Sequence, residues 1–62
     1  MSIITTKYGT FEVQGIGNGT MLTMNGTPII SLPNVNWWDL DGIESALDKN
    51  SELVTKRIIE RV

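Results

Sequence analysis

The sequence contains no cysteine and no histidine. A disulfide framework is therefore excluded, and a structural metal site loses its usual thiolate and imidazole ligands. A chain of 62 residues needs such support, because a domain of this size buries only about 60% of the surface that its unfolded form exposes. Self-association is the remaining route to stability, and the sequence predicts a homodimer.

The same absences remove the commonest catalytic groups, the imidazole base and the thiol nucleophile. Residues 39–42 resemble part of a calcium loop, but Trp37 occupies the position of the first ligand. The three glycines between residues 15 and 19 precede a predicted strand, whereas a phosphate cradle opens a helix. The sequence therefore predicts a protein that is not an enzyme and holds no cofactor or metal.

Long apolar runs are also lacking. None approaches the roughly 18 residues that a membrane-spanning helix requires, and the residues after Met1 contain no basic start, apolar stretch or cleavage site. We expect a cytoplasmic protein that does not enter the membrane.

Basic residues are few, and the formal net charge is −2. This balance argues against a broad surface that neutralises phosphates. In the C-terminal segment the acids come first and the bases last, an order that complements a helix dipole. The acids are Asp39, Asp41, Glu44 and Asp48, and the bases are Lys56, Arg57 and Arg61.

Residues 3–14 alternate between the two faces of a half-buried hairpin. With Tyr8 and Gly9 in the loop, Ile4 pairs with Val13. A three-residue loop with Gly9 as a bulge would shift the register and keep the same inward face.

Asn25-Gly26 is the strongest hairpin signal in the chain, because a type I′ turn needs positive φ at both central residues. It predicts strands near residues 20–24 and 27–31. Together the two hairpins predict a four-stranded antiparallel meander.

Counting outward from this turn pairs Leu22 with Ile29 and Met21 with Ile30. Both faces of the hairpin would then carry apolar pairs, so we expect the helical segment on one face and a second subunit on the other. Pro28 cannot donate to a neighbouring strand, which predicts an edge strand there.

Pro33 ends the strands, and Asn36 is the predicted N-cap of a helix over residues 37–61. Such a helix would be about 37 Å long, against about 17 to 20 Å for a typical strand. Either it breaks at residues 49–51, with Ser51 capping a second helix, or its C-terminal half packs on a partner.

The predicted fold is therefore a single α+β domain over residues 1–62. It comprises a β-meander (1–32) followed by a helical segment (36–62) of one long or two short helices packed on one face. The expected core places Leu40, Ile43 and Leu47 of the helix on Ile4, Phe11, Val13 and Leu22.

Trp37 and Trp38 are the only tryptophans, and adjacent side chains diverge by about 100° on a helix. A helical projection turns Trp38 away from the apolar stripe and leaves Trp37 at its boundary. In the alternative, both rings seal the open end of the sheet.

The leading functional hypothesis is a non-enzymatic protein-binding module with Trp37, Trp38, Asp41 and Glu44 as its recognition surface. A chain this short, acidic and free of cofactor motifs has the character of small phage or mobile-element proteins that modulate a host protein.

Nucleic-acid binding is the alternative. Lys56, Arg57 and Arg61 would form a basic strip on the C-terminal helix, extended across a dimer. The order of four strands and then a helix is similar in outline to a single-stranded-DNA-binding fold. A third reading is a structural subunit of a larger assembly.

Overall fold

The computed structural model describes residues 2–60 and contains one antiparallel sheet followed by two helices. The strands lie in the order β1-β2-β3-β4, which confirms the predicted α+β meander. The elements are β1 (Ser2–Thr6), β2 (Gly9–Ile16), β3 (Gly19–Met24), β4 (Thr27–Pro33), α1 (Leu40–Lys49) and α2 (Ser51–Glu60).

The first hairpin has the predicted inward face but a different register. Ile4 pairs with Phe11, and Val13 pairs with Ser2. The predicted pairing of Ile4 with Val13 is wrong by two residues. Since side chains alternate with a period of two, this shift leaves Phe11 and Val13 on the buried face.

The turn of this hairpin lies one residue earlier than predicted, at Lys7 and Tyr8. The Thr6 hydroxyl accepts a hydrogen bond from the Tyr8 N–H at 3.1 Å and donates one to the Gly9 carbonyl at 3.0 Å. These two bonds stabilise the earlier turn. Gly9, with φ of 122°, becomes the first residue of β2.

The second turn is as predicted, with φ of 53° at Asn25 and 81° at Gly26. The register beyond it is not, because a β-bulge lies between the pair Thr23–Pro28 and the pair Leu22–Ile30. The predicted pairing of Leu22 with Ile29 is therefore wrong.

The bulge makes Ile29 an extra residue of β4 and buries it together with Ile30. Both side chains thus join the core on one side of the sheet, as two adjacent residues of a bulge can. The predicted pairing of Met21 with Ile30 is also wrong, since Met21 pairs with Ser31. β4 is an edge strand, as Pro28 predicted.

The core lies between one face of the sheet and the two helices. A buried threonine, Thr20, joins it and donates from its hydroxyl to the Val35 carbonyl at 2.6 Å. The buried apolar residues are Phe11, Val13, Leu22, Met24, Ile29, Ile30, Leu32, Ile43, Leu47 and Val54.

The first helix begins at Leu40, and Asp39 is its N-cap. The Asp39 carboxylate accepts a hydrogen bond from the Gly42 N–H at 3.0 Å. The predicted cap at Asn36 is wrong, because the Asn36 carbonyl instead closes a turn by accepting from the Asp39 N–H at 3.0 Å.

The helical segment breaks at Asn50, which resolves the choice between one helix and two. Asn50 ends α1, and its carbonyl accepts from the Val54 N–H at 2.9 Å, so Ser51 is the first residue of α2 rather than its cap. Each helix has 10 residues and a length of about 15 Å, which matches the strands. No helix within residues 2–60 is long and apolar enough to cross a membrane.

Candidate functional site

The two tryptophans lie in the turn between β4 and α1, not in a helix. Their predicted helical placement is wrong, because the helix starts after Asp39. Trp38 is nevertheless the more exposed ring, at 63% against 44% for Trp37. An aromatic side chain of this size and exposure is available for contact with a partner.

The two indole rings pack edge to face. Their centroids are 5.5 Å apart and their planes are inclined by 89°. This is a favourable aromatic geometry. It restrains Trp38 in the free protein, so that less side-chain freedom remains to be lost when a partner binds.

Trp37 is seated on the backbone of β2 at Gly15. A Cβ atom at residue 15 would lie 3.0 Å from the Trp37 Cδ1 atom, closer than side chains normally approach. Only glycine gives the ring this much room. Trp37 therefore packs on this end of the sheet, while Trp38 is the more exposed of the two, so the alternative in which both rings seal the sheet is not what the structure has.

Leu40 belongs to this surface as well. The sequence placed it in the core, but it is 52% exposed because it is the first residue of α1. A cavity of about 210 Å³ separates Leu40 and Glu44 from β1. The sequence could have indicated this exposure through Asp39, which is as good an N-cap residue as Asn36 and places the start of the helix at Leu40.

Asp41 and Glu44 are exposed on the first turns of α1. Asp39, in contrast, is engaged as the helix cap. The sequence has no lysine or arginine from residue 8 to residue 48, so Asp41 has no basic neighbour close in the chain, whereas the Glu44 carboxylate is near enough to Lys7 to help Asp48 raise the pKa of that lysine. We call Trp37, Trp38, Leu40, Asp41 and Glu44 the tryptophan surface.

A separate polar cluster lies at the turn of the first hairpin. Asp48 at the end of α1 accepts a hydrogen bond from the Tyr8 hydroxyl at 2.8 Å and forms a 2.8 Å salt bridge with Lys7. The hydrogen bond from Lys7, followed by that from Tyr8, lowers the pKa of Asp48. The same contacts with Asp48 raise the pKa of Lys7 and the pKa of Tyr8. All three groups are solvent-accessible, and the cluster ties α1 to the sheet.

Of the three basic residues of the alternative site, the structure describes Lys56 and Arg57. Arg57 donates from its guanidinium to the main-chain carbonyl of Ile29 at 2.9 Å. Lys56 is exposed on α2. Arg61 lies outside the described residues.

A comparison with protein-family models, curated protein sequences and solved structures finds no match to this chain.

Proposed function

We propose that this chain is a non-enzymatic protein-binding module whose tryptophan surface binds a cytoplasmic partner protein and modulates it. This is the kind of role that small phage and mobile-element proteins play. The observation that carries the proposal is the 63% exposure of Trp38, with its ring held against Trp37, which is itself seated on Gly15.

The surface specifies the chemistry of its partner. An indole buries about 150 to 250 Å² when it is covered, and tryptophan is enriched among the residues that dominate interface energies. Trp38 and Leu40 require an apolar recess. Asp41 and Glu44 favour lysine or arginine at the rim of that recess, because opposite charges improve the association rate and select the partner.

The tryptophan surface is suited to binding a partner rather than to catalysis. It contains two carboxylates and no hydroxyl, thiol or amine nucleophile. The groups whose pKa values are shifted, Lys7, Tyr8 and Asp48, lie in a solvent-accessible cluster that connects α1 to the sheet.

Nucleic-acid binding has less support. The Arg57 guanidinium already donates to the sheet, which leaves Lys56 as the basic residue of α2 without such a contact among the described positions. A titration with single- and double-stranded DNA at low salt tests this alternative, which requires an affinity that falls steeply as salt is added.

The protein-binding proposal is tested by affinity capture from a lysate of the native source. The wild type and Trp38→Ala are compared with Ile59→Ala as the matched control, since Ile59 is an apolar side chain of α2 with a similar exposure of 67%. We expect a partner that the wild type and Ile59→Ala retain and Trp38→Ala loses. For the purified partner, truncation of Trp38 should weaken the dissociation constant by at least about tenfold, or about 1.4 kcal/mol. Equal capture by all three proteins would refute the assignment of the site.

A further inference from the structure

The two edges of the sheet are built differently. The β4 edge carries Pro28, a bulge at Ile29 and the Arg57 guanidinium bonded to the Ile29 carbonyl. Proline, bulges and covering side chains are the devices by which proteins prevent an edge strand from pairing with another chain. The β4 edge therefore carries three features that hinder pairing with another chain.

The β1 edge has none of these devices. Residues Ser2–Thr6 contain no charge and no proline, and their register with β2 is continuous. Within residues 2–60, β2 is the only strand that pairs with β1. Isoleucine and threonine are β-branched and favour strands, so this edge is a ready template for a further strand.

Thr5 and Pro28 occupy equivalent positions on the two edges. Thr5 pairs with Thr10, and Pro28 pairs with Thr23. In each hairpin this is the second residue pair counted from the two-residue turn. In an antiparallel ladder this second pair is not hydrogen-bonded, so the N–H of the edge residue points away from the sheet. Pro28 removes that donor from β4, whereas Thr5 presents it on β1.

We propose that β1 pairs antiparallel with β1 of a second copy of this chain, which joins the two sheets into one across a two-fold axis. This contact goes beyond the proposed partner binding and uses the β1 edge, which adjoins the tryptophan surface at Leu40 and Glu44. A two-fold interface needs a surface that is complementary to itself. An uncharged strand meets that need because no like charges face each other across the pair.

Lys7, which follows β1 in the sequence, does not oppose this arrangement, because its ammonium is already paired with Asp48 at 2.8 Å.

A second copy would also cover apolar surface that the single chain leaves open. Ile3 is 69% exposed and Ile4 is half-buried. This burial supplies the support that a small domain without disulfides needs.

Sedimentation of three proteins tests the proposal. Thr5→Pro removes from β1 the outward N–H donor that Pro28 lacks on β4. Thr5→Ala removes the same side chain while keeping the N–H donor. We expect the wild type and Thr5→Ala to be dimers at tens of micromolar, and Thr5→Pro to be a folded monomer with an unchanged circular dichroism spectrum. A monomeric wild type overturns the proposal and leaves the edge to a strand of another protein, and a dimeric Thr5→Pro overturns it as well.

Hydrogen exchange of the backbone amides tests the β1 contact if Thr5→Pro does not fold. In the wild type the Thr5 N–H should be protected at high concentration and exchange at least about tenfold faster on dilution, because only the dimer covers it. The Phe11 N–H, inside the sheet, is the matched control and should not respond in this way. A Thr5 amide that exchanges rapidly at every concentration refutes the β1 contact.

Discussion

The guanidinium of Arg57 donates a 2.9 Å hydrogen bond to the carbonyl of Ile29, the extra residue of the β4 bulge. A bulged residue falls outside the regular ladder, so its carbonyl needs another donor. Arg57 supplies it from α2 and so holds the second helix against the edge of the sheet.

Arg57→Met should therefore lower the free energy of unfolding by about 1 kcal/mol, because the carbonyl loses a charged donor at a partly exposed site. Chemical denaturation measures the loss. Lys56→Met, the adjacent residue, is the matched control and should change stability by less than about 0.5 kcal/mol. Equal effects of the two substitutions would contradict a specific role for Arg57.

The start of α1 can be tested by comparing its two candidate caps. Asp39→Ala should cost about 1 kcal/mol of unfolding free energy, because the Gly42 N–H loses its side-chain acceptor. Asn36→Ala should cost much less, since Asn36 contributes a main-chain carbonyl that alanine retains. Thermal unfolding of both variants distinguishes the caps, and a larger loss for Asn36→Ala would show that the helix begins earlier.

The seat of Trp37 on Gly15 can be tested by fluorescence. In a Trp38→Phe background Trp37 is the only tryptophan, and the additional substitution Gly15→Ala places a methyl group 3.0 Å from its ring. We expect the ring to be displaced toward solvent, with emission at longer wavelength and stronger quenching by acrylamide. Thr10→Ala, on the same strand, should leave both signals unchanged, and an unchanged signal in Gly15→Ala would show that the ring lies elsewhere.

The cluster of Lys7, Tyr8 and Asp48 predicts a specific dependence of stability on pH. The pKa of Asp48 is lowered in the folded protein, so its contribution is present above the unfolded value of 3.8 and is lost as the pH falls through the folded value. The pKa values of Lys7 and Tyr8 are raised. Their contributions are present below the unfolded values of 10.5 and 10.0 and are lost as the pH rises through the folded values.

The Asp48→Asn variant should therefore be less stable than the wild type between about pH 5 and pH 9, and the difference should shrink at both extremes. The effect will be small because the pair is exposed, and added salt should reduce it further. Denaturation curves at a series of pH values measure it. Parallel pH profiles for the two proteins would show that the cluster does not stabilise the fold.

Local sequence signals predicted much of this fold. The turn at Asn25 and Gly26 follows from the need for positive φ, and Pro33 ends the last strand as expected. Alternation identified Phe11 and Val13 as core residues in spite of the wrong register, because a two-residue shift preserves the face.

The features that the sequence did not predict arise where two neighbouring residues could each form the same turn or the same helix cap. Thr6 bonds to the backbone in a way that moves the first turn to Lys7 and Tyr8. Asp39 rather than Asn36 caps α1, which brings Leu40 to the surface and leaves both tryptophans outside the helix. The prominence of Trp38 was thus predicted from a helical placement that the structure does not have.

The most direct test of the tryptophan surface is the solvent accessibility of Trp38 in the complex. Trp37→Phe makes Trp38 the only fluorescent tryptophan of this chain, and acrylamide quenching is measured with and without the captured partner, after subtraction of the partner's own signal. We expect strong quenching in the free protein and at least about threefold weaker quenching in the complex, because the indole enters an apolar recess. A complex in which Trp38 stays as accessible as in the free chain would contradict it.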